Sequence, residues 1–119
     1  MEEKAEKLSE RFLDYGVEIV KLTIKMDGSS PSRHIANQLL RAGTSVCSNY
    51  EEARGAESRA DFIHKLRIVL KEIREALFWL KLTQKSEILS DCKTEKLIDE
   101  TKQLSKIIAK SIITANEHR

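Results

Sequence analysis

The chain is expected to fold as an all-α protein, an up-down-up-down antiparallel four-helix bundle. Three observations predict this. Apolar residues recur at alternating steps of four and three through four long stretches, the period of one helix face. One proline and four glycines in 119 residues leave too few turn formers for an all-β fold. A composition of 40% apolar and 34% charged residues suits amphipathic helices with solvated outer faces and is too apolar for a disordered chain. The length fits one domain, 1–119, and is too short for two.

Helix one is predicted over about residues 4–25. Leu8, Phe12, Tyr15, Ile19, Leu22 and Met26 form its stripe, widened by Val17, Val20 and Ile24. Asp27-Gly28-Ser29-Ser30-Pro31 combines turn formers with the only proline and ends it. Helix two is predicted from about 31 or 33 to 55, capped by Ser30 or Ser32 with Pro31 in the first turn. Its stripe reads Ile35, Leu39, Ala42, Val46, Asn49, Ala53. Ala42, Gly43, Ser45, Cys47 and Ser48 are all small, which lets a neighbouring helix approach closely. Gly55 is the expected stop.

Helix three is predicted over about 59–84. Ser58 with Asp61 reads as a capping box. Phe62, Leu66, Val69, Ile73, Ala76 or Leu77, and Leu80 form the stripe, with Ile63, Leu70, Phe78 and Trp79 beside it. That much apolar circumference predicts contact with more than one neighbour. Helix four is predicted over about 91–117, capped by Ser90 or Asp91, with Leu97, Thr101, Leu104, Ile108, Ser111 or Ile112, and Ala115 facing inward. Short links between helices this long make sequential neighbours antiparallel.

The net charge is +2, but its distribution is uneven. Residues 1–32 carry five Lys/Arg against seven Asp/Glu, residues 33–85 ten against six, and residues 86–119 six against six. Cys47 and Cys92 are far apart and fit no metal-ligand spacing, so they are expected to be reduced apolar filler. The start, Met-Glu-Glu-Lys, has no apolar signal core, and no apolar run has the length of a membrane span. A cytoplasmic protein without membrane contact is expected.

Enzyme chemistry finds little support. A di-iron bundle needs Glu-x-x-His on two helices; Asp61-x-x-His64 is one approximate match, and His34 and His118 fall near helix ends. No Gly-rich phosphate loop is present, and no base accompanies Cys47. No catalytic residue, metal or cofactor is therefore expected. One alternative is sharper: Arg59-Ala-Asp-Phe-Ile-His64 resembles the Arg-x(4–6)-His motif of toxin-type helical ribonucleases, in which His moves the proton and Arg holds the phosphate.

Two polar features carry the functional reading. Ser45, Asn49 and Glu52 share one line of helix two. They read as a buried clamp that fixes helix register, because an unpaired buried amide costs about 1–3 kcal/mol. A ligand site is the other reading, and no cofactor motif accompanies it. The basic residues of the middle, Arg41, Arg54, Arg59, Lys65, Arg67, Lys71 and Arg74, continued by Lys81 and Lys85, offer a phosphate-tracking surface. Their blander reading is a solvated face interleaved with Glu72 and Glu75.

Gln38-Leu-Leu-Arg-Ala-Gly-Thr-Ser-Val-Cys-Ser-Asn49-Tyr-Glu-Glu52-Ala and Ser58-Arg-Ala-Asp-Phe-Ile-His-Lys-Leu-Arg-Ile-Val-Leu-Lys-Glu72-Ile-Arg-Glu-Ala resemble the four-helix-bundle proteins encoded in intervening sequences of bacterial 23S ribosomal RNA genes. The accessory variability determinant proteins of diversity-generating retroelements look related. Matching positions are Gln38, Arg41, Ser45, Asn49, Glu52 and Phe62. The resemblance implies an up-down bundle, a homopentameric ring and no catalysis. From the retroelement relatives it implies a basic surface that binds RNA or DNA and a reverse transcriptase or other nucleic-acid enzyme. This chain departs in being only mildly basic.

Overall fold

In the computed structural model, which describes residues 2–26 and 28–117, four helices run α1 (Glu2–Lys25), α2 (Ser30–Arg54), α3 (Arg59–Lys85) and α4 (Cys92–Glu117). They form an antiparallel bundle measuring 48 × 22 × 19 Å. Asp27 in the first turn, and His118, lie outside the described residues. The helix bounds agree with the sequence periodicity to within three residues.

The caps explain where the helices begin. Ser29, not Ser30 or Ser32, starts α2. Its backbone is extended (φ −64°, ψ 154°) and its side chain accepts from Ser32 N, while its carbonyl accepts the first helical bond from Arg33 N at 2.9 Å. Pro31, lacking an N–H, falls where the helix has no internal partner for one. Ser58 caps α3 by accepting from Asp61 N at 3.1 Å, and Asp61 answers by accepting from Glu57 N at 3.3 Å. Asp91 caps α4, taking both the N–H and the hydroxyl of Thr94 at 3.0 Å. These bonds hold its carboxyl below the usual range.

All four helices line one core. Phe12, Tyr15, Ile19, Leu39, Val46, Leu66, Val69, Ile73, Leu80, Leu104 and Ile108 are essentially inaccessible. Phe12 stacks on Tyr50 with ring centroids 4.5 Å apart. Tyr50, rather than Asn49, occupies the inner stripe of α2. The step after Val46 is four, not three, because the large ring fills the space beside Phe12.

α1 and α2 cross closely at small residues. A Cβ on Gly43 would stand 2.8 Å from two side-chain carbons of Ile19, and one on Gly16 would stand 2.8 Å from Cys47 Sγ. Ile19 therefore sits against the bare backbone of Gly43. The Cys47 thiol donates to Phe12 O at 2.9 Å. α1 packs against α2 and more loosely against α4, and α3 against α2 and α4, so α1 and α3 occupy diagonal corners. The looser α1–α4 seam is joined by polar ties. Arg11 grips Glu100 with two bonds of 2.8 and 2.7 Å and reaches Gln103 at 3.0 Å. Beneath them Tyr15 Oη meets Thr101 Oγ1 at 2.8 Å.

Candidate nucleic-acid interface

Successive residues of an α-helix turn by 100°. Arg67, Lys71, Arg74, Phe78, Lys81 and Lys85 therefore fall within about 80° of arc. They extend along roughly 27 Å of α3 at 1.5 Å per residue. All six side chains are exposed, Phe78 to 57%. His64 lies on the same line toward the helix start and is also exposed. The opposite face of α3, through Leu66, Val69, Ile73, Ala76 and Leu80, is fully buried. Core packing thus fixes which way the cations point.

None of these five cations forms an ion pair among the described residues. The other basic positions expected to contribute are engaged. Arg41 lies between Glu72, at 3.5 Å, and Glu75, with which it makes a tighter contact. Glu75 also accepts from Trp79 Nε1 at 3.2 Å. Lys65 pairs with Asp61 at 3.9 Å and Arg54 with Glu51 at 3.7 Å. Arg59 donates to Ala115 O at 3.3 Å. The cations without an ion pair thus form one outward row of α3, and Arg41, Arg54, Arg59 and Lys65 lie off that row.

The clamp is not formed as expected. Asn49 and Ser45 are half-buried and Glu52 is exposed, and no side-chain hydrogen bond joins the three among the described residues. A one-residue shift of the stripe moves Asn49 to the rim. The buried polar contact that joins two helices is instead Tyr15 to Thr101. The ribonuclease pair is also separated. Five residues place Arg59 and His64 about 140° apart around α3, and Arg59 reaches α4 while His64 faces solvent. Among the described residues no group of three or more His, Cys, Asp or Glu could hold a metal ion, and no helix is long and apolar enough to cross a membrane.

A second outward face escaped the sequence reading. Leu13, Val17, Val20 and Ile24 are 64%, 42%, 39% and 75% exposed. They step by four, three and four, a seam of coiled-coil type on α1. Their spacing was visible, but Val17, Val20 and Ile24 read as a widening of the core stripe and Leu13 went unnoticed. Trp79, placed beside the main stripe with Phe78, is half-buried, with Phe78 and His34 against its ring.

The sequence pattern of the family described as 23S rRNA-intervening sequence protein matches residues 5–110. The chain belongs to that family. A crystal structure described as a protein with unknown function from the S23 ribosomal protein family of Bacteroides thetaiotaomicron superimposes with a TM-score of 0.81. It is 34% identical, over 87% of this chain and 96% of that one. Comparison with curated protein sequences gave no significant match. Family membership carries the bundle fold and leaves the function to the surface.

Proposed function

We propose that this 23S rRNA-intervening sequence protein is a non-catalytic oligomeric scaffold of the cytoplasm. It binds nucleic acid, or an enzyme together with its nucleic acid, through the outward row of α3. The observation that carries this reading is a line of five cations, without an ion pair among the described residues, beside an exposed aromatic ring. Cations at one-turn intervals exchange condensed counterions for their own charge along a phosphate backbone, a sequence-independent source of affinity. Phe78 offers unpaired bases a stacking surface. Both family descriptions refer to the ribosome or its RNA, which supports RNA as the first nucleic acid to test.

The α1 seam supports the oligomer. Exposed apolar patches with coiled-coil spacing mark protein contacts, and here the contact is a second copy. The seam lies at the corner diagonal to α3, so covering it leaves the cationic row open. Light scattering should give a mass several times 13.6 kDa, five times for the pentamer that the family resemblance implies, and Val17→Glu with Ile24→Lys should reduce it. A monomer at micromolar concentration contradicts this part of the reading.

The nucleic-acid part is tested by titrating labelled RNA and DNA with intact and cleaved species resolved. Weak, sequence-tolerant binding is expected, lowered for all sequences alike by reversing Arg67, Lys71 and Arg74 to Glu. RNA turnover that disappears in His64→Ala would replace this reading with a ribonuclease.

A further inference from the structure

The end of the bundle where α2 turns into α3 holds a cleft of about 860 Å³ between that turn, the start of α1 and the last turns of α4. Four cations line it, Lys4, Arg54, Arg59 and Lys110, and among the described residues no carboxylate does. Three other clefts on the molecule each include at least two carboxylates, such as Glu18 and Asp91 in one and Glu6 and Glu10 in another. Lys4 and Lys110 have no ion-pair partner among the described residues. Arg59 is held across the cleft by its bond to Ala115 O, which engages one of its five N–H donors.

The wall is not uniformly polar. Phe62 and Ile107 contribute an apolar surface from α3 and α4, and the hydroxyls of Ser111 and Thr114 stand on the α4 side. An apolar wall beside convergent cations is the chemistry of a site for an organic anion with a flat, poorly hydrated body. The volume exceeds what an inorganic anion needs and leaves room for a nucleotide. We infer that this cleft binds a nucleoside-phosphate unit, with the base against Phe62 and Ile107 and the phosphate between Arg59 and Lys110. The unit is either a free nucleotide or the phosphorylated end of a strand. The inference goes beyond the α3 row and stands on different residues.

Calorimetric titration with adenosine 5′-monophosphate, adenosine, inorganic phosphate and a 5′-phosphorylated oligonucleotide tests it. The monophosphate is expected to bind at least tenfold more tightly than adenosine or phosphate alone. Lys110→Glu, at an exposed position, is expected to lower its affinity about tenfold or more, with the helical circular dichroism unchanged. Lys4→Glu provides a second variant outside the core. Tighter binding of the oligonucleotide than of the mononucleotide, lost in Lys110→Glu, assigns the cleft to strand ends; equal binding assigns it to free nucleotides. Reversing Arg67, Lys71 and Arg74 is expected to leave mononucleotide binding unchanged, so the two readings fail separately. No binding of either nucleotide at millimolar concentration, or binding indifferent to both Lys110→Glu and Lys4→Glu, overturns the inference. So does inorganic phosphate binding as tightly as the monophosphate.

Discussion

Thr101 has one hydroxyl hydrogen, and its bond to Leu97 O at 2.6 Å uses it. Tyr15 must then donate to Thr101 Oγ1, an ordering that makes the two halves of the contact unequal. Tyr15→Phe leaves Thr101 its bond to Leu97 and should cost about 1 kcal/mol. Thr101→Val leaves the buried Tyr15 hydroxyl unpaired and should cost more, roughly 1–3 kcal/mol. Denaturant midpoints of the two variants check the order; equal losses would mean the hydroxyl finds another partner. Tyr15 also titrates far above its ordinary value because burial disfavours the phenolate. Burial likewise pushes the Cys47 thiol up, to about 11. Both groups hold their protons more tightly folded than unfolded. The Cys47 contribution is therefore complete below the ordinary thiol value of 9.0 and is lost as pH rises toward about 11, and the Tyr15 contribution begins to be lost only above the ordinary phenol value of 10.0. Thermal melts should fall across that interval, and Cys47→Ala should make the fall shallower. A flat profile from pH 8 to 11 would contradict the burial of the Cys47 thiol.

At the scale of the element, α2 shows what was legible in sequence and what was not. Its existence, length and small-residue character followed from period and composition, because a helix buried on one side must repeat its apolar residues every three or four positions. The choice between Asn49 and Tyr50 did not follow. Steps of three and four are both helical, and the Phe12–Tyr50 stack that selects four joins residues on different helices. The cationic row of α3 was half legible. The spacing of Lys71, Arg74, Lys81 and Lys85 was plain, but that Arg41 is neutralised by Glu72 and Glu75 depends on how α2 lies on α3. The α1–α2 crossing gives a sharp test of packing. Gly43→Ala improves helix propensity by about 1 kcal/mol, yet forces a methyl against Ile19, and overpacking costs roughly 1–3 kcal/mol. A net loss of stability in chemical denaturation is expected. A variant as stable as the parent would show that the helices can separate freely there.

The whole molecule sets its cationic row and its exposed apolar seam on opposite corners. α1 carries six acidic residues against five basic ones and an apolar seam. α3, diagonal to it, carries a row of cations over a buried face. On the proposed reading, this arrangement would let assembly and nucleic-acid binding use different surfaces of one small bundle. Copies joined through α1 would repeat the cationic row around the assembly, so that a chain of net charge +2 presents several such rows to one strand. Multivalent engagement of that kind raises apparent affinity without new contacts. Disrupting the α1 seam should accordingly weaken binding to long RNA much more than binding to an oligonucleotide that spans a single row. The two probes losing affinity equally would separate assembly from binding.

The most direct test of the α3 row is the salt dependence of RNA binding. If Arg67, Lys71, Arg74, Lys81 and Lys85 of one copy each neutralise a phosphate, the logarithm of the affinity should fall against the logarithm of salt with a slope of about −3.5 on a single strand. Lys71→Ala should make that slope shallower by about 0.7. Binding that is absent at low salt, or a slope that Lys71→Ala leaves unchanged, would contradict the account.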